Sequence, residues 1–298
     1  MAQPKLVWQS KLILLLVLPF AAASVVLETP WWAAQASTVA TWTLGMSILL
    51  GLVTWKLRAA TPGAAFAGTA ITASLMFSTV IFPYEPWHTA LVPVLTVSLL
   101  AFLCTLIGRG HKEQLGTAEN RRGRTAAQVA ANLGVAALVS CEAVQSSMTD
   151  SSIFTRATLA PMPLFVVALA ALAEAAADTV SSEVGQVFGG RPRMITTLRT
   201  VEPGRDGAIS MAGTLAGVLA AATVAAAGTL AMRGDMTMFW ISCAGGVFGL
   251  LFDSLLGATL EERGWLNNDM VNFLSTASAA GFALGLLALQ TRLGVGQG

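Results

Sequence analysis

Charged side chains are scarce in this chain. It holds 17 Lys and Arg and 16 Asp and Glu among 298 residues, or 11%. An ordinary soluble domain carries about 25%. A water-soluble chain of this length could not cover its surface with so few charges, so a soluble class is excluded. Histidine occurs only at His88 and His111, which argues against a histidine-based metal centre. The three cysteines, Cys104, Cys141 and Cys243, are far apart and lie in apolar stretches. That spacing excludes a disulfide framework and a zinc knuckle, and they read as small apolar core residues. No linker, soluble domain or low-complexity tail stands out, and no nucleic-acid partner is expected. The formal net charge of +1 says nothing about partners; the placement of the charges does.

What fills the chain is apolar: 55% of residues are hydrophobic and the mean hydropathy is +0.68. A run of about 20 apolar residues spans a bilayer as a helix. Nine candidates occur, at roughly 12–27, 37–57, 63–82, 89–108, 125–148, 159–177, 207–230, 236–256 and 270–290. The pattern predicts one integral membrane domain, 1–298, as an all-α polytopic bundle of about nine transmembrane helices. The first run follows Lys5 and Lys11 and ends in Ala21-Ala22-Ala23-Ser24, which a signal peptide also does. Trp31 and Trp32 favour a retained helix with interface anchors. With the N-terminus inside, fourteen of the seventeen basic residues fall in cytoplasmic segments, and only Arg156, Arg233 and Arg292 fall outside. This asymmetry predicts an N-inside, C-outside topology in a bacterial inner membrane. The polar segments 109–124, 178–206 and 257–269 then share the cytoplasmic face.

An acid at the centre of a membrane helix costs about 2.5–3.5 kcal/mol on insertion scales, so it faces a partner, a cavity or a site. Glu142, Glu174, Asp178 and Asp253 lie in or at the edge of apolar helices. Glu174 and Asp178 are spaced i, i+4 on one face. Two like charges there repel unless a cation or base lies between them. The run continues through Thr179, Ser181, Ser182 and Glu183. Hard oxygen donors of this kind suit Mg²⁺, which uses one or two carboxylates with substrate phosphates. The bland alternative is mutual satisfaction within a bundle, since polar contacts between membrane helices are common.

The stretch 189–210 contains Gly189, Gly190, Arg191, Arg193, Thr196, Thr197, Gly204, Arg205, Gly207 and Ser210. Glycines let backbone N–H groups approach an anion, and arginines offer forked donors to phosphate. Gly207 and Ser210 open the next apolar helix, whose N-terminus favours an anion. Walker A spacing is absent. The alternative is a basic loop that merely sets topology. Asp269 and Asn272 stand at the start of the last helix, where Asp269 could instead be an N-cap. Arg121, Arg122 and Arg124 precede Gln128 and Asn132, which share a helix face. The arginines offer an anion site or headgroup anchors for acidic lipid.

Several of these stretches together resemble a known membrane family. They are Ala177 to Gly185, Pro192 to Thr197, Val201 to Gly213, Leu251 to Thr259 and Asp269 to Ser275, with Arg124, Gln128, Ala131 and Asn132. The family contains plant phytyl-phosphate kinase and the animal transmembrane-protein-nineteen group, and the likeness runs from about residue 60 to 285. Leu133 departs from the pattern, where a glycine is expected. The resemblance implies a prenyl monophosphate kinase converting phytyl monophosphate to phytyl diphosphate for tocopherol, with Mg²⁺ and a nucleoside triphosphate donor, CTP by analogy. Asp178, Glu183, Asp253 and Asp269 would hold the metal. Arg191, Arg193, Thr196, Thr197, Ser182, Ser210 and the Gly204–Gly207 turn would bind nucleotide phosphates. Arg122 or Arg124 would take the acceptor phosphate, with Gln128, Asn132 and Asn272 lining the cavity. Two alternatives stand beside this: a transporter or flippase of an anionic substrate, and a cytidylyltransferase forming a CDP-lipid.

Overall fold

A computed structural model describes residues 6–117, 122–141 and 161–292. The expectations placed on Lys5, Arg121, Glu142 and Arg156 lie outside these described residues. In chain order the elements are α1 (Val7–Gln35), α2 (Ser37–Lys56), α3 (Pro62–Phe77), α4 (Leu91–Leu106), α5 (Arg109–Leu115), α6 (Ala126–Ser140), α7 (Pro161–Phe188), β1 (Arg193–Met194), β2 (Ala208–Ile209), α8 (Met211–Ala231), α9 (Met236–Leu256) and α10 (Asn268–Arg292). The protein is an all-α polytopic membrane bundle.

Each of the nine apolar stretches contains a helix among the described residues, but the count of nine full crossings is not confirmed. Among the described residues six helices are long and apolar enough to cross, and a seventh forms if α4 and α5 are taken together across their 71° bend. α3 has 16 residues and α6 has 15. At 1.5 Å per residue they reach about 24 Å, less than the roughly 30 Å of a hydrocarbon core. The polar segment expected from residue 178 is also not a loop at its start. α7 runs on to Phe188, because nothing between Asp178 and Val184 breaks a helix. It ends only at the Gly189-Gly190 pair, where Gly190 has φ +61°.

α7 is the axis of the bundle. Its residues from Leu164 to Ala177 are buried on all sides, and half of them are alanine. Lipid tails are as apolar as leucine, so membrane helices associate through close packing of small residues. α8 and α9 meet α7 in this way. A Cβ on Gly217 would lie 2.8 Å from Ala177 O, and one on Gly245 would lie 2.8 Å from Ala170 Cβ. α4 and α10 complete the ring about α7. The remaining helices, α1, α2, α3 and α6, form a second group, joined to the first through α6, which packs on both α7 and α10. α3 and α4 touch each other at few positions.

Local signals set the helix starts at one end of this bundle. Thr61 caps α3 with Pro62 at its first position. Thr125 and Gln128 close a capping box on α6. The Ser210 hydroxyl accepts from Gly213 N at 3.1 Å on α8, and Asn267 Oδ1 accepts from Met270 N at 2.9 Å on α10. α1 reaches the same end, where Gln9 donates to Trp265 O at 2.9 Å.

Candidate functional site

Two cavities open at this end. The first is a polar chamber of about 140 Å³ between the C-terminal turns of α7 and α9, the 192–210 loop and the start of α10. The second is a groove of about 620 Å³ bounded by α2, α3, α4 and α6, mostly apolar.

Seven of the sequence-predicted residues line the chamber: Asp178, Ser182, Gly204, Gly207, Ser210, Asp253 and Asn272. They converge because α8 and α9 lie so close to α7. A Cβ on Gly213 would be 2.6 Å from Ser181 O, so Ser210 stands beside the serines of α7. Gly207 has φ +73°, and a Cβ there would fall 2.5 Å from Ala258 Cα. Only glycine lets the loop backbone close on the end of α9. β1 and β2 pair antiparallel, Arg193 with Ile209, which folds the intervening loop back on itself.

Asp178 and Asp253 meet across the chamber within hydrogen-bonding reach, and Glu174 lies one turn deeper on α7. Glu174 is 1% exposed. Both its carboxyl oxygens, and Asp253 Oδ2, lack a hydrogen-bond partner. The nearby Ser275 hydroxyl donates to Asn272 O at 3.0 Å. Buried carboxyls this close demand a proton or a cation between them. Among the described residues no three His, Cys, Asp or Glu are arranged to hold a metal ion by themselves. Two chamber carboxylates with one orphaned oxygen do suit Mg²⁺, which completes its shell with water and phosphate oxygens.

Other expected residues are placed elsewhere. Glu183 points away from the chamber to the ammonium of Lys112 and accepts from Thr105 Oγ1 at 3.0 Å. Asp269 is not the cap of α10; it sits in the first turn, where Ser10 Oγ donates to it at 2.5 Å. The four-carboxylate cluster expected from the sequence is therefore not assembled. Arg191, Arg193, Thr196 and Thr197 are exposed on the loop and do not line the chamber. Arg205 does, but its guanidinium pairs with Glu262. Gln128 accepts from Thr125 N at 2.7 Å in the capping box instead of facing a cavity. Arg122 is exposed.

The chamber carboxyls Glu261 and Asp206 were missed. Burial, with Glu262 adding repulsion, holds the Asp206 carboxyl above the usual range. Glu261 enters because the last turn of α9 widens into a π turn, Gly257–Glu261, a feature common at functional sites. Lys112 was also missed. It is 1% exposed and donates to Cys104 O at 3.1 Å, Thr105 O at 3.0 Å and Glu183.

The chamber and the groove share a wall. Asn272 lines the chamber, Asn132 lines the groove, and Asn272 Nδ2 donates to Asn132 Oδ1 at 3.2 Å. Arg124 lines the groove beside Asn132, and its guanidinium reaches Thr179 Oγ1 at 3.5 Å, next to Asp178. The segment around Arg124 is held by backbone pairing: Thr61 N donates to Arg124 O and Arg124 N to Ala59 O, both at 3.0 Å. Gly123, at φ +82°, makes the pairing possible, since a Cβ would sit 2.5 Å from Arg58 O.

A helical bundle with an acid-lined chamber at one end and an apolar groove beside it defines a polytopic membrane protein with a built polar site. The chain belongs to the family described as Integral membrane protein DUF92, which it matches over residues 45–280. It is 46% identical over 108 residues to an uncharacterised membrane protein of Methanocaldococcus jannaschii, covering 36% of this chain and 45% of that one. It is 30% identical over 214 residues to an uncharacterised membrane protein of Synechocystis, covering 68% and 75%. It is 29% identical over 175 residues to the chloroplastic protein VTE6 of Arabidopsis thaliana, covering 57% and 50%. The chain thus spans about half the length of the first and third of these relatives. No solved structure matches.

Proposed function

We propose that the protein is a nucleotide-dependent prenyl monophosphate kinase, converting a phytyl-type monophosphate to its diphosphate with CTP as donor, at the cytoplasmic membrane surface. The observation that carries this reading is the shared wall: a polar chamber suited to a nucleotide's phosphates abuts an apolar groove suited to a prenyl tail. The family likeness, including the similarity to VTE6, supports the same reaction class. The basic-residue asymmetry supports the cytoplasmic placement.

Phosphoryl transfer is mostly positioning and charge stabilisation. The donor's phosphates lie against the Gly204–Gly207 turn, Ser182 and the N-terminus of α8 at Ser210. Mg²⁺, when bound by Asp178 and Asp253, offsets the phosphate charge. Arg124 holds the acceptor phosphate at the wall and aims it at the chamber. An acceptor phosphate oxygen attacks the γ-phosphorus, the bond to the β-phosphate oxygen breaks, and CDP leaves. The attacking oxygen is already anionic, so no general base is needed.

The test is product analysis with purified protein, Mg²⁺, a panel of prenyl monophosphates and a panel of nucleoside triphosphates. Prenyl diphosphate and CDP are expected. Asp178→Asn and Asp253→Asn are each expected to lower the rate by about 10²–10³-fold, the range seen when one charge-stabilising group is removed. A CDP-lipid with release of diphosphate would make the protein a cytidylyltransferase. Uptake of an anionic substrate into proteoliposomes without nucleotide turnover would make it a transporter. No product with any nucleotide would sink the kinase reading.

A further inference from the structure

We infer that the acceptor lipid enters sideways from the bilayer through the gap between α3 and α4, and that its single prenyl tail lies along the groove with its phosphate at Arg124. This rests on the kinase reading for the acceptor's identity and adds the route and the tail subsite. α3 packs on α1, α2 and α6, while α4 packs on α7 and α8, so the two helices belong to different groups and meet at few positions. The groove runs along this seam. A gap between two helix groups offers a membrane lipid a lateral way into the groove, beside the polar mouth.

The groove is graded along its length. Its mouth carries Arg58, Arg124 and Arg109, the last 3.4 Å from Glu113. Below the mouth the walls are small or apolar. Ala64, Gly68 and Thr72 succeed one another at i, i+4 on α3, and Val94, Val97, Ser98 and Ala101 form a stripe on α4. Cationic mouth and apolar walls match an anionic head on a hydrocarbon tail. The distance from Thr105 at the mouth to Val94 at the inner end is about 16 Å at helical rise. An isoprene repeat has four backbone bonds of about 1.5 Å and advances about 5 Å. The groove therefore accepts about three isoprene units, and longer tails project into the bilayer.

The two residues that decide access are Gly68 on α3 and Ser98 on α4, both half-buried and both lining the groove. A Cβ on Gly68 would meet only Val129 Cγ1, at 3.8 Å, so alanine fits there and a branched chain fills the groove.

The experiment uses a prenyl monophosphate carrying a diazirine at the tail end, with the full-length protein in nanodiscs and no nucleotide. Labelled peptides are mapped by mass spectrometry. Label is expected on 64–72 and 94–105, displaced by geranylgeranyl monophosphate and not by phosphatidic acid. Competition should strengthen from one isoprene unit to about three and then level off. Gly68→Leu and Ser98→Leu should reduce labelling by about ten-fold or more, as overfilled sites do, while Gly68→Ala and Asp253→Asn retain it. Label mapping elsewhere, equal displacement by phosphatidic acid, or leucine variants that label like the native protein would overturn the inference. Should the leucine variants not assemble, the native map and the chain-length series decide alone. Groove labelling with no diphosphate product under any nucleotide would leave the tail subsite standing and the kinase reading refuted. Product with label elsewhere would do the reverse.

Discussion

Single side chains at this site carry opposing demands. Asp206 is exposed at its surface yet partly desolvated in the chamber wall, and that desolvation, with repulsion from Glu262, holds its carboxyl above the usual range. A carboxyl raised in the folded state favours folding while it is protonated. Below its unfolded pKa of about 3.9 that contribution is complete, and it is lost as pH climbs through the raised folded value. Asp206→Asn should therefore melt higher than the native protein at pH 7, with the difference closing at pH values below about 4. A melting-temperature gap that is the same at both pH values would show that ionisation of Asp206 is not its source. Lys112 poses the converse case. Its ammonium is buried with three acceptors, Glu183 among them. Lys112→Met leaves Glu183 without its cation and should cost about 3–5 kcal/mol. Lys112→Met with Glu183→Gln should recover much of that loss in denaturation measurements; no recovery would mean that the pair is not the source of the cost. Neither pairing could be read from the sequence, because Lys112 and Glu183 are 71 positions apart, Asp206 and Glu262 are also distant in the chain, and Lys112 looked like one more basic loop residue.

Helices decide where the chemistry sits. The sequence made nine apolar stretches and their order plain, since hydropathy is a property of each stretch alone. It did not reveal that α7 continues to Phe188, because a polar run was taken as the membrane surface although no residue in it stops a helix. That continuation carries Ser181 and Ser182 into the chamber and turns Glu183 to Lys112. Chamber residues from the Gly204–Gly207 turn and from α7, α9 and α10 were legible, because acids and glycines beside apolar helices are costly or conformationally special. Arg191 was expected for its chemical type, and Arg193, Thr196 and Thr197 also for the family resemblance of their stretch; the fold leaves all four exposed. The contact that positions the chamber is α7 against α8. Gly217 faces Ala177 O and Ser181 Cβ, with a Cβ at 2.8 and 2.9 Å. Gly217→Val should push α8 away, lowering both the melting temperature and the rate of the proposed reaction, since overpacking costs about 1–3 kcal/mol. Gly281 has nothing within 4 Å of its Cβ position, so Gly281→Val should be nearly silent in the same assays. Equal effects at the two sites would mean that close packing on α7 is not what holds the chamber.

The molecule as a whole separates its polar work from its other end. Chamber, groove mouth, α5 and the arginine segment all gather where α2, α4, α7 and α9 finish and α3, α6, α8 and α10 begin. The opposite end is tied by small polar contacts instead. His88 Nδ1 lies 2.7 Å from Ala231 O, Arg233 reaches both His88 and Glu85, and Thr43 meets Tyr84 at 3.1 Å. The helices therefore alternate in direction as the charge asymmetry requires, and the bundle's two ends correspond to the two predicted sides. The proposed cytoplasmic placement of the chamber end rests on the positive-inside rule. In a cysteine-free background, Thr197→Cys marks the chamber end and Trp87→Cys the other; both positions are exposed. In spheroplasts of an expressing bacterium, a membrane-impermeant maleimide should label Trp87→Cys at once and Thr197→Cys only after permeabilisation. The reverse pattern would place the chamber outside, away from cytoplasmic nucleotide. It would remove the donor from the proposed reaction while leaving the groove's lateral opening between α3 and α4 unaffected.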